Sequence, residues 1–220
     1  SSSFSAAALV KVLTHPYYLG ALGRTLLVGL GGMLGACLLG VPLAYCVARY
    51  VVRGRSVIAT LAVLALVSPP FIGAYAWVML LGSNGSITRA LAAAGISVPT
   101  IYGAHGIVLV FSLKYFPFVY LMVESALRGL NRSLEEAADN LGCTPWQRFT
   151  RVSLPMVFPA LSSGALLCFV LSIADFGTPS IIGRDYTTLS TIAYNQYTSE
   201  LGGTPTMAVT ISLLMIALSM

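Results

Sequence analysis

Long apolar runs separated by short polar segments dominate the pattern of this chain. A helix that crosses a bilayer needs about 20 mostly apolar residues. Four runs reach that length, and they lie at 22–48, 57–81, 105–127 and 156–174. A fifth run begins near Thr206, and the sequence ends before this run reaches 20 residues. The pattern predicts an all-α membrane protein, a polytopic helical bundle whose fifth helix is truncated.

The composition excludes most other classes of protein. Hydrophobic residues make up 57% and charged residues 9% of the 220 positions, whereas soluble domains average roughly 45–50% and about 25%. Twelve Lys and Arg and seven Asp and Glu side chains are too few to cover a soluble domain of this size. A water-soluble enzyme and an intrinsically disordered chain are therefore excluded, and the predicted surroundings are a lipid bilayer.

The arginines between the apolar runs predict the orientation. Loops on the cytoplasmic side of a membrane protein carry an excess of Lys and Arg. The loops after the first and third runs hold Arg49, Arg53, Arg55, Arg128, Arg132, Arg148 and Arg151, and the opposite loops hold Arg89 and Arg184. The first group is therefore predicted to be cytoplasmic. The basic residues are scattered beside apolar runs, so the net charge of +5 does not indicate binding to nucleic acid.

The loop at 131–155 contains two helix-start signals. Ser133 followed by Glu136 has the spacing of a capping box, in which each side chain accepts a hydrogen bond from the other residue's backbone amide. We expect a helix over 134–141 that stops at Gly142, since glycine favours the left-handed conformation at a helix C-terminus.

The second start signal follows directly after this glycine. Thr144 and Gln147 repeat the capping spacing, and Pro145 stands at the first helical position, where proline is favoured. A second helix is predicted over 145–152, ended by Pro155. Connections between bundle helices usually take about 2–8 residues. A hairpin this long and this polar indicates a docking element, and the alternative is a plain linker between two spans.

The hairpin resembles the EAA loop of binding-protein-dependent ABC importer permeases. The family pattern is EAA, three residues, Gly, nine residues, and then Ile-x-Leu-Pro. This sequence has Val152 in place of isoleucine and otherwise matches at Glu136, Ala137, Ala138, Gly142, Leu154 and Pro155. The segment Pro42-Leu43-Ala44-Tyr45 at the end of the first run is also similar to the family. The resemblance covers most of the chain.

The resemblance implies a fold and a mechanism. The fold would be the five-helix permease core, one transmembrane domain over 1–220 that is a fragment or one half of a longer permease. Residues 131–155 would be its cytoplasmic coupling hairpin and would dock on a dimer of ABC ATPases through Glu136, Ala137, Ala138, Gly142, Leu154 and Pro155. Helix capping is an alternative or additional role for Glu136. ATP and Mg²⁺ would belong to the ATPase, because this chain has no GxxxxGK[ST] phosphate loop.

The same resemblance implies further partners and a location. A periplasmic substrate-binding protein would deliver the solute, and a second permease half or copy would complete the pathway in the bacterial inner membrane. This chain would have no catalytic residue, cofactor or metal of its own.

Two other classes of protein remain as alternatives. A secondary transporter would need ion-coupling carboxylates within the spans, and an intramembrane enzyme would need more than His15 and His105, which lie near helix ends.

Three charged residues in or beside the spans are candidates for the translocation path. Charges within a bilayer are costly and usually functional. Lys114 and Glu124 lie in the third run, and Asp175 closes the fourth. Pairing of Lys114 with Asp175 is the structural alternative to a role in the path.

The solute is predicted from the segment that follows the fourth run. Residues 174–179, which contain Asp175-Phe176-Gly177, resemble the iron(III) and 2-aminoethylphosphonate branch of the family. Iron(III) is therefore the expected solute. The alternatives are 2-aminoethylphosphonate, a polyamine or another small solute such as sulfate.

Overall fold

The computed structural model describes residues 12, 14–50, 52–67, 69–96, 99–198 and 205–219. Every regular element in these ranges is helical, as the sequence predicts. The helices are α1 Pro16–Arg49, α2 Arg55–Val67, α3 Pro70–Leu81, α4 Ser86–Ala93, α5 Ala104–Gly129, α6 Arg132–Asn140, α7 Pro145–Arg148, α8 Leu154–Ala174, α9 Gly177–Ile182, α10 Leu189–Thr198 and α11 Pro205–Ser219. A π-helical turn, Phe149–Ser153, joins α7 to α8.

Three stretches of helix in the described chain are long and apolar enough to cross a membrane: α1, α5 and the continuous helix from Pro145 to Ala174. They confirm the first, third and fourth predicted spans as helices, and α11 begins where the fifth is predicted. α1 exposes a stripe of leucines at helical spacing, with exposed fractions between 46% and 75%: Leu27, Leu30, Leu34 and Leu38. In a bilayer this stripe would face lipid, because residues three and four apart share one helix face.

The predicted second span is not one continuous helix. α2 ends at Val67 and α3 begins at Pro70, with Pro69 between them in an extended conformation, φ −58° and ψ 140°. Proline disfavours helical geometry in the residue before it. Pro70 therefore holds Pro69 outside the helix, and α3 begins with a proline at its first position. The broken pair of α2 and α3 makes a fourth span only if both helices belong to a single crossing of the membrane.

The chain divides into two compact units. Unit 1 takes its residues from 1–32, 68–111 and 169–220, and unit 2 takes its residues from 33–67 and 112–168. In unit 1, α10 packs against α11 and α9 packs against α3. The α10–α11 packing surrounds a buried apolar cluster that includes Tyr18, Ala21, Leu189, Ile192 and Ile211. That residues 1–220 form one transmembrane domain stays a prediction.

In unit 2, two glycines allow α1 and α8 to approach the same residue of α5. A Cβ placed on Gly40 of α1 would lie 2.9 Å from the Val119 Cβ and 3.0 Å from the Phe116 carbonyl oxygen. A Cβ on Gly164 of α8 would lie 3.2 Å from the Val119 Cα. Small residues permit such close approach of helix backbones in membranes. Val119 is thus a point at which these three helices approach one another closely in this unit.

Replacing Gly40 tests this packing. Gly40→Ala is expected to lower the free energy of unfolding by about 1–3 kcal/mol, because its neighbours are the Val119 Cβ and two backbone atoms, none of which can rotate away. Gly23→Ala in the same helix is the matched control. Outside the backbone of its own helix, no atom of the described residues lies within 4 Å of a Cβ at Gly23, so alanine there is neutral or stabilises the helix by up to about 1 kcal/mol. Thermal unfolding in detergent measures both variants, and equal melting temperatures would contradict the close packing.

Candidate functional site

The 131–155 hairpin belongs to unit 2 and begins with α6. Asn131 caps this helix, since its Oδ1 accepts a hydrogen bond from the Ser133 amide at 3.1 Å. The predicted capping box of Ser133 and Glu136 is therefore wrong, and α6 starts at Arg132. Asn131 has the extended backbone of an N-cap residue, φ −67° and ψ 121°. The cap leaves Ser133 and Glu136 inside the helix, with Glu136 exposed.

The turn of the hairpin is built around Gly142, as the sequence predicts. Its φ is +78°, in the left-handed region. The Cys143 amide donates to the Ala138 carbonyl at 3.1 Å, and the Gly142 amide donates to the Asp139 carbonyl at 2.9 Å. These two bonds form a Schellman motif, which satisfies carbonyls that the end of α6 leaves without helical partners.

The second predicted capping box is confirmed. The Gln147 amide donates to Thr144 Oγ1 at 3.3 Å, and the Thr144 amide donates to Gln147 Oε1 at 2.9 Å. Pro145 occupies the first helical position. The hairpin therefore starts its second helix with the signal that the sequence contains.

The predicted end of this second helix at Pro155 is wrong. α7 continues through the π-helical turn into α8, so that the helix is unbroken from Pro145 to Ala174. The Leu154 amide donates to the Phe149 carbonyl, five residues back. Proline lacks an amide hydrogen and crowds the carbonyl four residues before it. The wider turn directly before Pro155 is where the helical bonding pattern changes to admit it.

The residues of the EAA pattern face in different directions. Ala138 is buried, whereas Glu136 and Ala137 are exposed. Leu141 and Trp146 add apolar surface to the same hairpin and are 85% and 71% exposed. Exposed apolar surface beside charged residues is typical of a site of protein contact. Gly142 and Pro155 are also exposed, and Leu154 is half-buried.

A buried ion pair holds α6, and sequence reasoning missed it. Glu135 Oε1 lies 2.9 Å from Arg49 Nη2 and accepts a hydrogen bond from Arg49 Nε at 3.0 Å. The same oxygen accepts a hydrogen bond from Ser153 Oγ at 2.7 Å. The Arg49 and Glu135 side chains are only 7% and 11% exposed. The sequence signal was the spacing of Glu135 and Ala138, which places both on one face of α6.

Further contacts join the second half of the hairpin to α6 and to the end of α1. Arg148 and Asp139 form an ion pair. The Phe149 and Tyr45 rings meet edge to face, with centroids 4.8 Å apart. Tyr45 and Trp146 help to line an apolar groove of about 260 Å³. Charged and aromatic contacts thus hold the hairpin within unit 2, while Glu136, Ala137, Gly142 and Pro155 stay exposed.

Two of the predicted path residues lie on α5 in unit 2, and both are half-buried. Glu124 forms an ion pair with Arg128, one helical turn along the same helix. The Lys114 ammonium lies 5.0 Å from the centre of the Tyr115 ring. The Glu124 carboxylate is therefore neutralised within its own helix, and its part in a translocation path stays a prediction.

Asp175, the third predicted path residue, is buried in unit 1. Its Oδ1 accepts a hydrogen bond from the Thr178 amide at 3.0 Å, and its Oδ2 accepts one from Thr178 Oγ1 at 3.2 Å. Its carbonyl accepts a hydrogen bond from Ser190 Oγ at 3.0 Å. Asp175 thus connects the start of α9 with α10. Its pairing with Lys114 stays a prediction.

The Asp-Phe-Gly segment also contributes to a cavity in unit 1. The Phe176 ring stacks on Tyr194 with centroids 4.4 Å apart and meets Phe71 edge to face at 5.1 Å. These rings line a cavity of about 300 Å³ together with Arg184 and Asn195. In the part of the chain that the structure describes, no three His, Cys, Asp or Glu side chains gather as metal ligands.

The sequence of this chain matches one protein family and is similar to several permeases of known name. The family described as "Binding-protein-dependent transport system inner membrane component" matches residues 38–220. The molybdenum transport system permease protein ModB of Mycobacterium tuberculosis is 34% identical over 185 residues, which cover 83% of this chain and 68% of that protein. The ferric transport system permease protein FbpB of Actinobacillus pleuropneumoniae is 26% identical over 196 residues, which cover 87% of this chain and 28% of that protein.

The solved structures agree on the fold. A bacterial alginate ABC transporter, in complex with an alginate-bound periplasmic protein, contains a chain with a TM-score of 0.72 and 20% identity. The similarity covers 96% of this chain and 77% of that chain. This chain spans less than a third of the length of the ferric relatives it matches.

Proposed function

Because the chain belongs to the family of binding-protein-dependent transport system inner membrane components, we propose that it is a transmembrane subunit of an ATP-driven importer. It moves a solute from a periplasmic binding protein to the cytoplasm by alternating access. The ATP is hydrolysed by a separate dimer of ABC ATPases, on which ATP and Mg²⁺ bind. A second permease half or copy completes the pathway.

The exposed face of the 131–155 hairpin carries this proposal. Glu136, Ala137 and Gly142 are exposed next to the apolar side chains of Leu141 and Trp146, while Glu135 anchors the same helix from its buried side. A rigid element with a small-residue surface suits close contact with another protein. Movement of a docked ATPase would pass through α7 directly into α8, because the helix is unbroken from Pro145 to Ala174.

The orientation is proposed from the distribution of arginine. Seven arginines flank the loops after the first and third spans, against two in the opposite loops, which favours a cytoplasmic hairpin in the bacterial inner membrane. The periplasmic binding protein would then meet the opposite side, which includes α4 and the segment between α9 and α10. The alginate-bound periplasmic protein in the similar solved complex supports a partner of this kind.

Iron(III) is the proposed solute. The resemblance of Asp175-Phe176-Gly177 to iron permeases and the similarity to a ferric permease support it. The second candidate is an oxyanion, which the similarity to a molybdenum permease favours. Both carboxylate oxygens of Asp175 accept hydrogen bonds from Thr178, as in a structural carboxylate, so a direct bond from Asp175 to ferric ion is not part of the proposal.

Reconstituted transport tests both levels of the proposal. The complete permease, its ATPase and its binding protein are placed in liposomes, and uptake of radioactive iron is followed. We expect uptake that requires both ATP and the binding protein. Uptake driven by an ion gradient without ATP would contradict the importer proposal and favour a secondary transporter. ATP-driven uptake of molybdate, sulfate or 2-aminoethylphosphonate, with ferric ion ignored, would leave the importer intact and show that iron is the wrong solute.

A further inference from the structure

Two arginines meet at one cavity in unit 1. Arg24 of α1 and Arg184, in the turn after α9, both line a cavity of about 400 Å³ together with Tyr102 and Tyr186. The two arginines are 160 positions apart in the sequence. The cavity is open to solvent at its rim, where both arginine side chains are exposed.

Each guanidinium group lies over an aromatic ring. The Arg184 Cζ is 3.7 Å from the centre of the Tyr102 ring, and the Arg24 Cζ is 5.5 Å from the centre of the Tyr186 ring. Contact between a guanidinium face and a ring leaves the N–H groups at the edge able to donate hydrogen bonds. No acidic side chain forms an ion pair with either arginine in the described residues. Asp185 also lines the cavity, so these three side chains carry a formal charge of +1.

The backbone at Arg184 forms a tight turn that holds this residue at the cavity. Arg184 has a φ of +50° and is the one residue other than glycine with a positive φ in the described chain. The Tyr186 amide donates to the Gly183 carbonyl at 2.9 Å and closes the turn. A Cβ on Gly183 would lie 2.7 Å from the Tyr186 carbonyl oxygen, so the turn requires glycine there. A non-glycine residue held in the left-handed region is a pointer to function.

A second connection fixes the opposite wall. The Gly103 amide donates to the Ile182 carbonyl at 3.0 Å, which attaches the segment of Tyr102 to the end of α9. The Tyr186 hydroxyl donates to the Arg24 carbonyl at 3.3 Å. Burial raises the pKa of Tyr186, while the charge of Arg24 opposes that rise, so the hydroxyl remains a neutral donor at physiological pH. The arginines and their supporting rings are therefore held in place from both sides.

We propose that the cavity between Arg24 and Arg184 binds a small oxyanion. The N–H groups of guanidinium match the oxygens of tetrahedral and planar oxyanions and form charge-assisted hydrogen bonds with them. The cavity is large enough for such an ion with water molecules around it. Asp185 lowers the local positive charge, so the ion is held loosely and exchanges. The site is independent of which solute the permease carries.

Binding to the assembled transporter in lipid nanodiscs tests the site. Inorganic sulfate and molybdate are the probes, titrated in chloride buffer without nucleotide. We expect saturable binding of both anions. Arg24→Gln and Arg184→Gln should each weaken this binding about tenfold, and the double variant should not bind the anions. Arg89→Gln is the matched control, since Arg89 is an exposed arginine on α4 outside the cavity. Binding that is absent, or that Arg89→Gln weakens equally, would overturn the proposal.

A second measurement uses only the wild-type protein and so does not depend on whether the variants fold. Phenylglyoxal modifies accessible arginines, and mass spectrometry measures the extent at each position. Sulfate or molybdate should protect Arg24 and Arg184 severalfold and leave Arg89 unprotected. Equal modification with and without the anions would contradict the site. If the wild-type protein does not bind the anions and the double variant docks the binding protein more weakly, the oxyanion proposal is wrong. The cavity would then bind carboxylates of the binding protein. Neither measurement uses ATP or transport, so both stand apart from the test of the importer.

Discussion

Glu135→Gln is expected to release α6 from the end of α1 and to abolish transport. The substitution leaves the Arg49 guanidinium buried without its charged partner, and breaking a buried pair from one side costs about 3 kcal/mol or more. Ser153 also loses a charged acceptor, to which it donates at 2.7 Å. The expected result is a lower melting temperature and faster hydrogen exchange of the amides of α6.

Glu136→Gln is the matched control for this experiment. Glu136 is the adjacent carboxylate on the same helix and is exposed. Its replacement should leave the melting temperature and the exchange of α6 unchanged, although it removes a charge from the face proposed to meet the ATPase. A loss of stability with Glu136→Gln equal to that with Glu135→Gln would contradict the assignment of Glu135 as the anchor of the hairpin.

Gly142→Leu is expected to abolish ATP-driven uptake in a permease that still folds and inserts. Among the described residues other than its two chain neighbours, nothing lies within 4 Å of a Cβ at Gly142. The cost within the permease is therefore limited to the left-handed conformation, about 1–2 kcal/mol for any residue other than glycine. A leucine side chain there would extend into the face proposed to meet the ATPase. Loss of a central contact of this kind should weaken ATPase binding about 30-fold.

Gly142→Ala separates the two effects. Alanine bears nearly the same conformational cost as leucine but adds a single methyl group, so the two variants should have similar melting temperatures. Binding of the purified ATPase and ATP-driven uptake should fall much further with leucine than with alanine. Equal uptake by the two variants would show that the surface over Gly142 does not meet a partner, and the hairpin would then be a linker.

Much of the fold could be predicted from local sequence patterns. Apolar runs of sufficient length indicated α1, α5 and α8, because a helix that faces lipid must be apolar over its whole crossing. The stop at Gly142 and the start at Thr144 were predicted correctly, because both depend on bonds between residues at most five apart. The order of residues in the EAA pattern was visible for the same reason.

The errors in prediction have a common physical cause. Two helix starts competed at 131–136, and the side-chain bond of Asn131 to the Ser133 amide decided between them. Pro155 was predicted as a helix end, but the π-helical turn before it allowed the helix to continue. The pair Pro69 and Pro70 broke a run whose apolar composition predicted one span. In each case a single local hydrogen bond or backbone conformation outweighed the general pattern.

The sequence by itself determined the membrane class, the first, third and fourth helical spans, the turn at Gly142 and the family pattern, because each is encoded in neighbouring residues. Only the tertiary structure decided that Glu135 rather than Glu136 is the buried carboxylate, since its partner Arg49 is 86 positions away. It also decided that Asp175 is bonded to Thr178 and Ser190, and that Arg24 and Arg184 line one cavity. These arrangements depend on which helix faces meet, and contacts between distant segments leave no periodic signal in a single sequence.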